Sequence, residues 1–234
     1  MGVIEPLGED ALLLRLGDRL DPSTNAQVHA CAAALEATRP PWVRDIVPAF
    51  ATLAVFVDAV VMPDADDPLA AARAWIASTL SSPLRRESGD HRPSEVGPRR
   101  RGDDETPIEV PVRFGGDAGP DLAHVAAAAG LSEAETVARF CAPLYQVAML
   151  GFAPGFPYLL GLDPALAMPR LETPRTRVPA GSVAIGGAQA GIYPREGPGG
   201  WRLLGRTPLG LFDPARAPPA LLVPGGRVRF LAAA

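Results

Sequence analysis

A chain of 234 residues is long enough for one large domain or two small ones, and its 47% hydrophobic content is ample for a core. The formal net charge of −4 argues against general nucleic-acid affinity, and no run approaches the roughly 18 apolar residues of a membrane span. All 22 basic residues are arginine, which excludes a P-loop lysine, a Schiff-base lysine and a biotin-carrying lysine in this chain.

The first part of the chain, residues 1–82, predicts a small α+β domain of the split βαβ type. The predicted elements are, in chain order, a strand at 11–16, a helix opened by Asp21-Pro22-Ser23, strands at 43–48 and 52–58, and a helix after Asp66-Asp67-Pro68. The start lacks a basic segment followed by an apolar core, so we expect no signal peptide and a cytoplasmic protein. No catalytic group of residues is evident in this part.

Residues 83–106 are charged, rich in proline and glycine, and nearly devoid of apolar side chains. This composition is typical of a flexible linker. The run Arg99-Arg100-Arg101 resembles a nucleic-acid contact, but Asp103, Asp104 and Glu105 follow at once and favour a solvated segment of mixed charge.

A second domain, predicted at 107–234, is mainly β. It begins with a strand in IEVPVRF and two short helices, the second opened by the capping-box pattern Ser132-Glu133-Ala134-Glu135. Short strands separated by glycine and proline are predicted at 145–152, 181–186, 190–194, 200–206 and 226–231. This length and spacing predict a closed or nearly closed β barrel.

One segment of this domain, from Gly151 to Gly210, has an unusual composition. It holds 12 of the 24 glycines and six arginines against three acidic residues, so it is locally positive. An anion site needs backbone that approaches closely and fixed positive charge, and this segment offers both. Bulges and tight barrel corners are the competing explanation for its glycines.

Several familiar kinds of site are excluded within the segment. All three histidines lie outside it, so neither a Ser-His-Asp triad nor a histidine zinc site is apparent. Ser182 lacks the nucleophile-elbow pattern, and Pro198-Gly199-Gly200 is followed by Trp201 rather than by a helix start. We therefore assign no catalytic residue and no metal ligand.

Arginine, amide and aromatic side chains remain as candidates for a binding site. The predicted substrate-binding residues are Arg175, Arg177, Gln189, Tyr193 and Arg206. The arginines suit a carboxylate or a phosphate, and the glutamine suits an amide or lactam. The predicted pocket wall or partner interface consists of Phe152, Phe156, Tyr158 and Trp201. The alternative is that the arginines are ordinary surface residues and the aromatic residues belong to the core.

The same segment carries a resemblance to a known family. It contains GFAPGFPYLLGL, TPRTRVPAGSVAIGGAQAGIYP and GPGGWRLLGRTP, which are similar to the family of the B subunit of 5-oxoprolinase. That family also includes proteins named allophanate hydrolase subunit 1 and the sporulation kinase inhibitor of bacilli. The likeness extends over nearly the whole chain except the linker, through PLGEDALLLRLGD, VRDIVPAFATLAVFVD and IEVPVRFGGDAGPDL.

The resemblance implies a cyclophilin-like barrel and two partner proteins. One partner is expected to be like the C subunit of 5-oxoprolinase, of related barrel architecture, and the other like its A subunit. Together they are expected to open 5-oxoproline, a small anionic lactam, to L-glutamate at the expense of ATP. ATP is expected at the level of the complex, because this chain has no Walker-type loop. A related pair, carboxyltransferase subdomains C and D, forms the carboxyltransferase part of urea carboxylase.

One pair of positions departs from the family pattern. The family usually has a histidine and a small hydroxyl residue just before the strand at 145, and this chain has Phe140 and Cys141. If that histidine transfers protons, this copy is altered, and if it only packs, the replacement is harmless.

Two other functions stay open at this point. A regulatory module that binds and inhibits a sensor histidine kinase is suggested by the proline-rich and aromatic loop at 152–157. The other is membership of an allophanate- or urea-processing enzyme of the carboxyltransferase type, which would need a separate biotin carrier.

Overall fold

The computed structural model of the protein describes residues 2–62, 67–81 and 106–233. The chain divides into two compact units, with the boundary between Glu105 and Thr106. The predicted linker lies outside the described residues except for Thr106. Among the described helices, none is long and apolar enough to cross a membrane.

The first unit is an antiparallel sheet with two helices. Its elements are β1 (Val3–Pro6), β2 (Ala11–Arg15), α1 (Pro22–Ala37), β3 (Val43–Pro48), β4 (Thr52–Val57) and α2 (Pro68–Ser81). The strand order is β1-β2-β4-β3, and β4 is antiparallel to both β2 and β3. Strands β2 and β3 therefore run parallel with β4 between them, which confirms the predicted split βαβ arrangement. Strand β1 was not predicted.

Local chemistry explains these elements. The Asp21 carboxylate accepts a hydrogen bond from the Thr24 backbone N–H at 2.9 Å, and Pro22 stands at the first helical position of α1. In β4, Leu53, Val55 and Val57 are buried while the residues between them are half-buried, as period-two alternation predicts. These side chains form one apolar core with α1 and α2.

The second unit is a barrel with two helices and a separate hairpin. Its elements are β5 (Ile108–Phe114), α3 (Leu122–Ala129), α4 (Glu133–Cys141), β6 (Tyr145–Leu150), β7 (Pro157–Leu160), β8 (Arg175–Val178), β9 (Ser182–Gly186), β10 (Gln189–Ile192), β11 (Gly197–Gly199), β12 (Arg202–Arg206) and β13 (Arg227–Ala232). Seven strands close in the order β10-β7-β6-β13-β5-β12-β9, and β8 pairs with β11 outside the ring. The α+β unit followed by a mainly β barrel confirms the predicted fold class.

Capping interactions set the bounds of the two barrel-unit helices. Gly130 ends α3 in the left-handed conformation at φ 68°. The predicted capping box opens α4: the Glu135 N–H donates to Ser132 Oγ at 3.2 Å, and the Ser132 N–H donates to Glu135 Oε2 at 2.9 Å. Leu122, Val125 and Phe140 from these helices join the core of the barrel.

The barrel strands divide their side chains between two separate cores. Val183, Ile185, Ala190 and Ile192 belong to the inner core. Their neighbours along β9 and β10 alternate to the opposite face, because successive strand residues point to opposite sides. We call that opposite face of β7, β10, β9 and β12 the outer face.

Candidate functional site

A second apolar cluster covers the outer face. It contains Phe156, Tyr193 and Trp201, all nearly fully buried, with Tyr158 partly buried against it. The rings meet mostly edge to face: the Phe156 centroid lies 5.2 Å from Tyr193, 5.6 Å from Trp201 and 5.0 Å from Tyr158. The structure therefore brings the predicted aromatic residues together, and it uses three of them as core.

Glycines allow these rings to lie directly on the strands. A Cβ at Gly186 would stand 2.7 Å from the Trp201 ring, and one at Gly191 would stand 3.0 Å from both Phe156 and Trp201. Close approach of rings to backbone therefore explains two glycines of the unusual segment.

Three residues form a row across the outer face, at one end of the aromatic cluster. Arg206 on β12 stands opposite Ser182 on β9, and Tyr193, just after β10, donates its backbone N–H to the Ser182 carbonyl at 2.9 Å. We call Tyr193, Ser182 and Arg206 the donor row. Ser182 is fully buried, and neither its Oγ nor the buried Arg206 Nε has a hydrogen-bond partner among the described residues.

The Tyr193 phenol is kept neutral. Burial raises its pKa above the ordinary value, against the opposing effects of the Trp201 backbone hydrogen bond and of the Arg170 and Arg175 charges. The phenol therefore keeps its proton at neutral pH, and it stands beside two cationic side chains. The Arg170 guanidinium also lies over the Trp201 ring, 5.5 Å from its centroid.

A carboxylate holds Arg175 next to the same region. Arg175 Nη2 donates to Asp121 Oδ1 at 2.8 Å, and the Leu203 backbone N–H of β12 donates to Asp121 Oδ2 at 2.7 Å. Arg175 Nη1 is buried with no hydrogen-bond partner among the described residues. Asp121 thus fixes one side of the guanidinium and leaves the other side able to donate.

Sequence reasoning missed the role of Asp121 and used it only as a helix opener. Its two partners are 54 and 82 residues away along the chain, so no local pattern reveals them. The sequence offers only a glycine, Gly119, two residues earlier, and the structure explains it, because a Cβ there would meet the Leu204 carbonyl. That approach brings the segment against β12.

Two predicted binding residues lie away from the donor row. Gln189 is 94% buried and its Nε2 has no partner among the described residues, but it stands at the start of β10, opposite Gly186. Tyr193 lies four positions further along the chain, about 13 Å away at the usual rise per residue, with the Trp201 ring between the two. Arg177 is 77% exposed and pairs with Glu196 at 2.7 Å. Arg175, Tyr193 and Arg206 are therefore the three that the structure brings together.

The loop Gly151–Gly155 carries an exposed aromatic side chain on a strained turn. Phe152 has φ 66°, the only positive value among the described residues other than glycine, and the Ala153 N–H donates to the Gly151 carbonyl at 2.7 Å. Its ring is 64% exposed and lies 6.2 Å from Tyr193 between centroids. Residues 150–155 line an open cavity of about 350 Å³. Phe152 is thus the member of the predicted pocket wall that faces solvent.

The two positions that depart from the family pattern lie away from this face. Phe140 is fully buried in the inner core, with ring centroids 4.8 Å from Phe230 and 5.5 Å from Tyr145. The Tyr145 hydroxyl donates to the Phe140 carbonyl at 2.8 Å, and burial raises the pKa of both Tyr145 and the Cys141 thiol. In this chain, position 140 packs.

Comparison with known proteins gives the context of this geometry. Residues 3–222 match the sequence profile described as carboxyltransferase domain, subdomain C and D. The B subunit of 5-oxoprolinase from Bacillus subtilis is 39% identical over 230 residues, which cover 97% of this chain and 91% of that protein. The B subunit of 5-oxoprolinase from Escherichia coli O157:H7 is 57% identical over 124 residues, 53% of this chain and 57% of that protein.

Solved structures show the same fold. TTHA0988 is 38% identical with a TM-score of 0.75 over 96% of this chain, and this chain spans 40% of its length. PH0987 from Pyrococcus horikoshii is 37% identical with a TM-score of 0.55 and matches 99% of this chain and 97% of its own. Kluyveromyces lactis urea carboxylase, at 16% identity and a TM-score of 0.66, shares the fold over 99% of this chain and 22% of its own.

The match over residues 3–222 assigns the chain, with its split βαβ unit and closed seven-stranded barrel, to the carboxyltransferase domain family, subdomain C and D. Within that class, the chain belongs to the family of the B subunit of 5-oxoprolinase.

Proposed function

We propose that this chain is one subunit of an ATP-dependent 5-oxoprolinase complex that opens 5-oxoproline to L-glutamate. The observation that carries the proposal is the 39–57% identity to three proteins named as the B subunit of 5-oxoprolinase. The outer-face donors support it, because 5-oxoproline offers a carboxylate and a lactam carbonyl, which are both acceptors. A cation beside buried N–H and O–H donors suits that ligand.

The chain contributes binding rather than a complete set of reacting groups. Ser182 Oγ has no hydrogen-bond partner among the described residues, so no described base activates it as a nucleophile. The lack of lysine leaves no P-loop for ATP in this chain. We therefore place ATP at the level of the complex. The partners proposed to complete the site are proteins like the C subunit and the A subunit of 5-oxoprolinase.

Reconstitution tests this proposal. The chain is purified with its two partner proteins, and ATP hydrolysis that depends on 5-oxoproline is measured with each of the three proteins omitted in turn. We expect activity from the full set only. Arg206→Ala should raise KM for 5-oxoproline, whereas Arg229→Ala, an exposed arginine on β13, should leave KM unchanged. A complete and folded complex with no such hydrolysis would contradict the proposal.

A carboxyltransferase-type role on an allophanate or urea derivative is the second candidate. The matching profile is described as a carboxyltransferase domain, which favours it. The likeness to urea carboxylase at 16% identity concerns the fold alone. Saturable binding of a urea derivative to the complex, with none of 5-oxoproline, would favour this candidate over the first.

A third candidate, a regulatory module that inhibits a sensor histidine kinase, is favoured by the exposed Phe152 on its strained turn. Phe152→Ala distinguishes it. A regulatory surface would lose kinase inhibition with this change while the chain stays folded, and an enzyme component would show no kinase inhibition in either form.

A further inference from the structure

Ser182 and Arg206 form a cross-strand pair in which both side chains hold an unpartnered buried atom. Four such atoms occur among the described residues, and Ser182 Oγ and Arg206 Nε are the two that stand directly opposite each other in the β9–β12 register. Opposite residues of an antiparallel pair share a face, with Cβ atoms about 4.5–5.5 Å apart. Because most buried donors in native proteins have acceptors, two neighbouring ones without acceptors require an explanation, and a bound ligand that accepts from both would supply it.

The chemistry of the pair selects an anion. The Arg206 Nε–H and the Ser182 hydroxyl both donate, and Arg206 makes no ion pair with any described carboxylate. The Asp121 carboxylate is already engaged by Arg175 and by the Leu203 N–H. The positive charge of Arg206 is therefore available to a ligand rather than neutralised by the protein.

A carboxylate fits the pair better than a phosphate. It is planar, carries one charge and has two oxygens, so a guanidinium edge and one hydroxyl cover much of it. A phosphate carries up to two charges on more oxygens and requires a larger set of donors. We propose that Ser182 and Arg206 form the carboxylate subsite of this chain, with Ser182 Oγ and Arg206 Nε donating to the ligand's carboxylate oxygens. Its assignment to 5-oxoproline rests on the proposed function.

This assignment gives Ser182 a role that its sequence context did not indicate. It is a binding residue, and no base among the described residues stands ready to make it a nucleophile. The assignment also predicts that Ser182 has opposite effects on ligand binding and on the stability of the ligand-free chain. A buried hydroxyl without a partner destabilises the ligand-free fold, so replacing it by a methyl group should stabilise the chain while it weakens carboxylate binding.

Calorimetric titration with four small probes, of the full chain alone and of its complex with the two proposed partners, tests the subsite. The probes are 5-oxoproline, acetate, inorganic phosphate and 2-pyrrolidinone, which has the lactam ring without the carboxylate. We expect Ser182→Ala to weaken 5-oxoproline and acetate about tenfold, as loss of a hydrogen bond to a charged group does, and to leave 2-pyrrolidinone unchanged. Arg206→Lys keeps a cation but removes the Nε donor, and it should also weaken the two carboxylates. Arg229→Ala is the matched control.

The Tm of the chain without ligand distinguishes a binding role from a packing role. Loss of a packing contact at Ser182 would lower the Tm. We expect Ser182→Ala to raise Tm by about 2–4 °C. A lowered Tm with unchanged acetate affinity would show that Ser182 only packs, and it would overturn the proposal. The proposal would also be overturned if the wild-type chain bound phosphate but not acetate, or bound no carboxylate.

The outcome for 5-oxoproline separates the subsite from the proposed function. If acetate binding depends on Ser182 and Arg206 but 5-oxoproline does not bind, the subsite stands and the substrate assignment fails. If 5-oxoproline drives ATP hydrolysis in the complex but Ser182→Ala and Arg206→Lys leave its KM unchanged, the proposed function stands and the subsite fails.

Discussion

The two faces of strand β9 show how one short element serves two purposes. Val183 and Ile185 point into the inner core and are fully buried among apolar side chains. Ser182 and Gly186 belong to the outer face, where one presents an unpartnered hydroxyl and the other leaves space for the Trp201 ring. The inner face is optimised for packing. The outer face keeps polar atoms whose burial opposes folding, which is typical of surfaces that act on a ligand.

Because the inner face is the one optimised for packing, we expect substitutions in the inner core to cause the largest losses of stability. Phe140→Ala removes a fully buried ring that packs on Phe114, Tyr145 and Phe230. We expect the free energy of unfolding to fall by about 3–5 kcal/mol. Urea unfolding of the full chain measures it, with Phe212→Ala, a partly exposed phenylalanine, as the control. A loss below about 1 kcal/mol would show that the inner core tolerates the change and would remove the contrast.

Asp121 connects α3 to the outer face and should give the next largest effect. Asp121→Ala leaves both the Leu203 N–H and the Arg175 guanidinium without their acceptor, so we expect a loss of about 2–3 kcal/mol of unfolding free energy. Asp121→Asn keeps a carbonyl acceptor and should recover part of this loss. In the reconstituted complex, both variants should raise KM for 5-oxoproline, because Arg175 is no longer held. Equal stability of the two variants would show that an uncharged acceptor oxygen at position 121 contributes nothing, contrary to this expectation.

Gly186→Ala tests whether the outer face depends on close ring packing. The new methyl group would meet the Trp201 ring at 2.7 Å, so the ring must move. We expect a cost of about 1–3 kcal/mol and a change in the tryptophan fluorescence of the chain, whose other two tryptophans, Trp42 and Trp75, pack in the first unit. Gly197→Ala is the matched control, since a Cβ there would meet nothing within 4 Å. An unchanged spectrum would show that the environment of the ring does not depend on its close packing against Gly186.

Arg177→Ala should have the smallest effect of the set. Its side chain is 77% exposed and its pairing with Glu196 is a surface ion pair, which contributes about 0–1 kcal/mol. The informative comparison is with Arg175→Ala, two residues earlier on the same strand, which should weaken 5-oxoproline binding clearly more. Parallel titrations of the two variants with 5-oxoproline make the test. Equal losses of affinity would show that Arg177 belongs to the binding site.

Much of the fold could be predicted because it depends on local signals. Strand β3 was predicted with its observed bounds, and the capping box at Ser132 and Glu135 is present as two reciprocal hydrogen bonds. The split βαβ order and the closed barrel followed from the sequence of elements. Strands β1, β7, β8 and β11 were missed; each has only three or four residues, in which a period is hard to see, although β10 of the same length was predicted.

The candidate site was less predictable, because its geometry depends on pairing between distant strands. Arg175 and Arg177 look equivalent in the sequence, and only the fold half-buries Arg175 beside Asp121 and exposes Arg177. Gln189 and Tyr193 are close in sequence, yet the extended strand places them at different ends of the aromatic cluster. Ser182 becomes a candidate binding residue only because the register of β9 and β12 places it opposite Arg206, 24 residues later.

The parallel pairing of β13 with β5 has a consequence for synthesis of the protein. Val228 is paired with Ile108 and Ala232 with Val112, so the ring of strands joins the beginning of the barrel unit to its last strand. Because long-range pairing has to wait for both segments, a ribosome must deliver β13 before the barrel can close. Until then the edges of β5 and β6 are open to other strands. The barrel ring is therefore completed late, and a nascent chain stalled before Arg227 would expose the edges that β13 covers on β5 and β6.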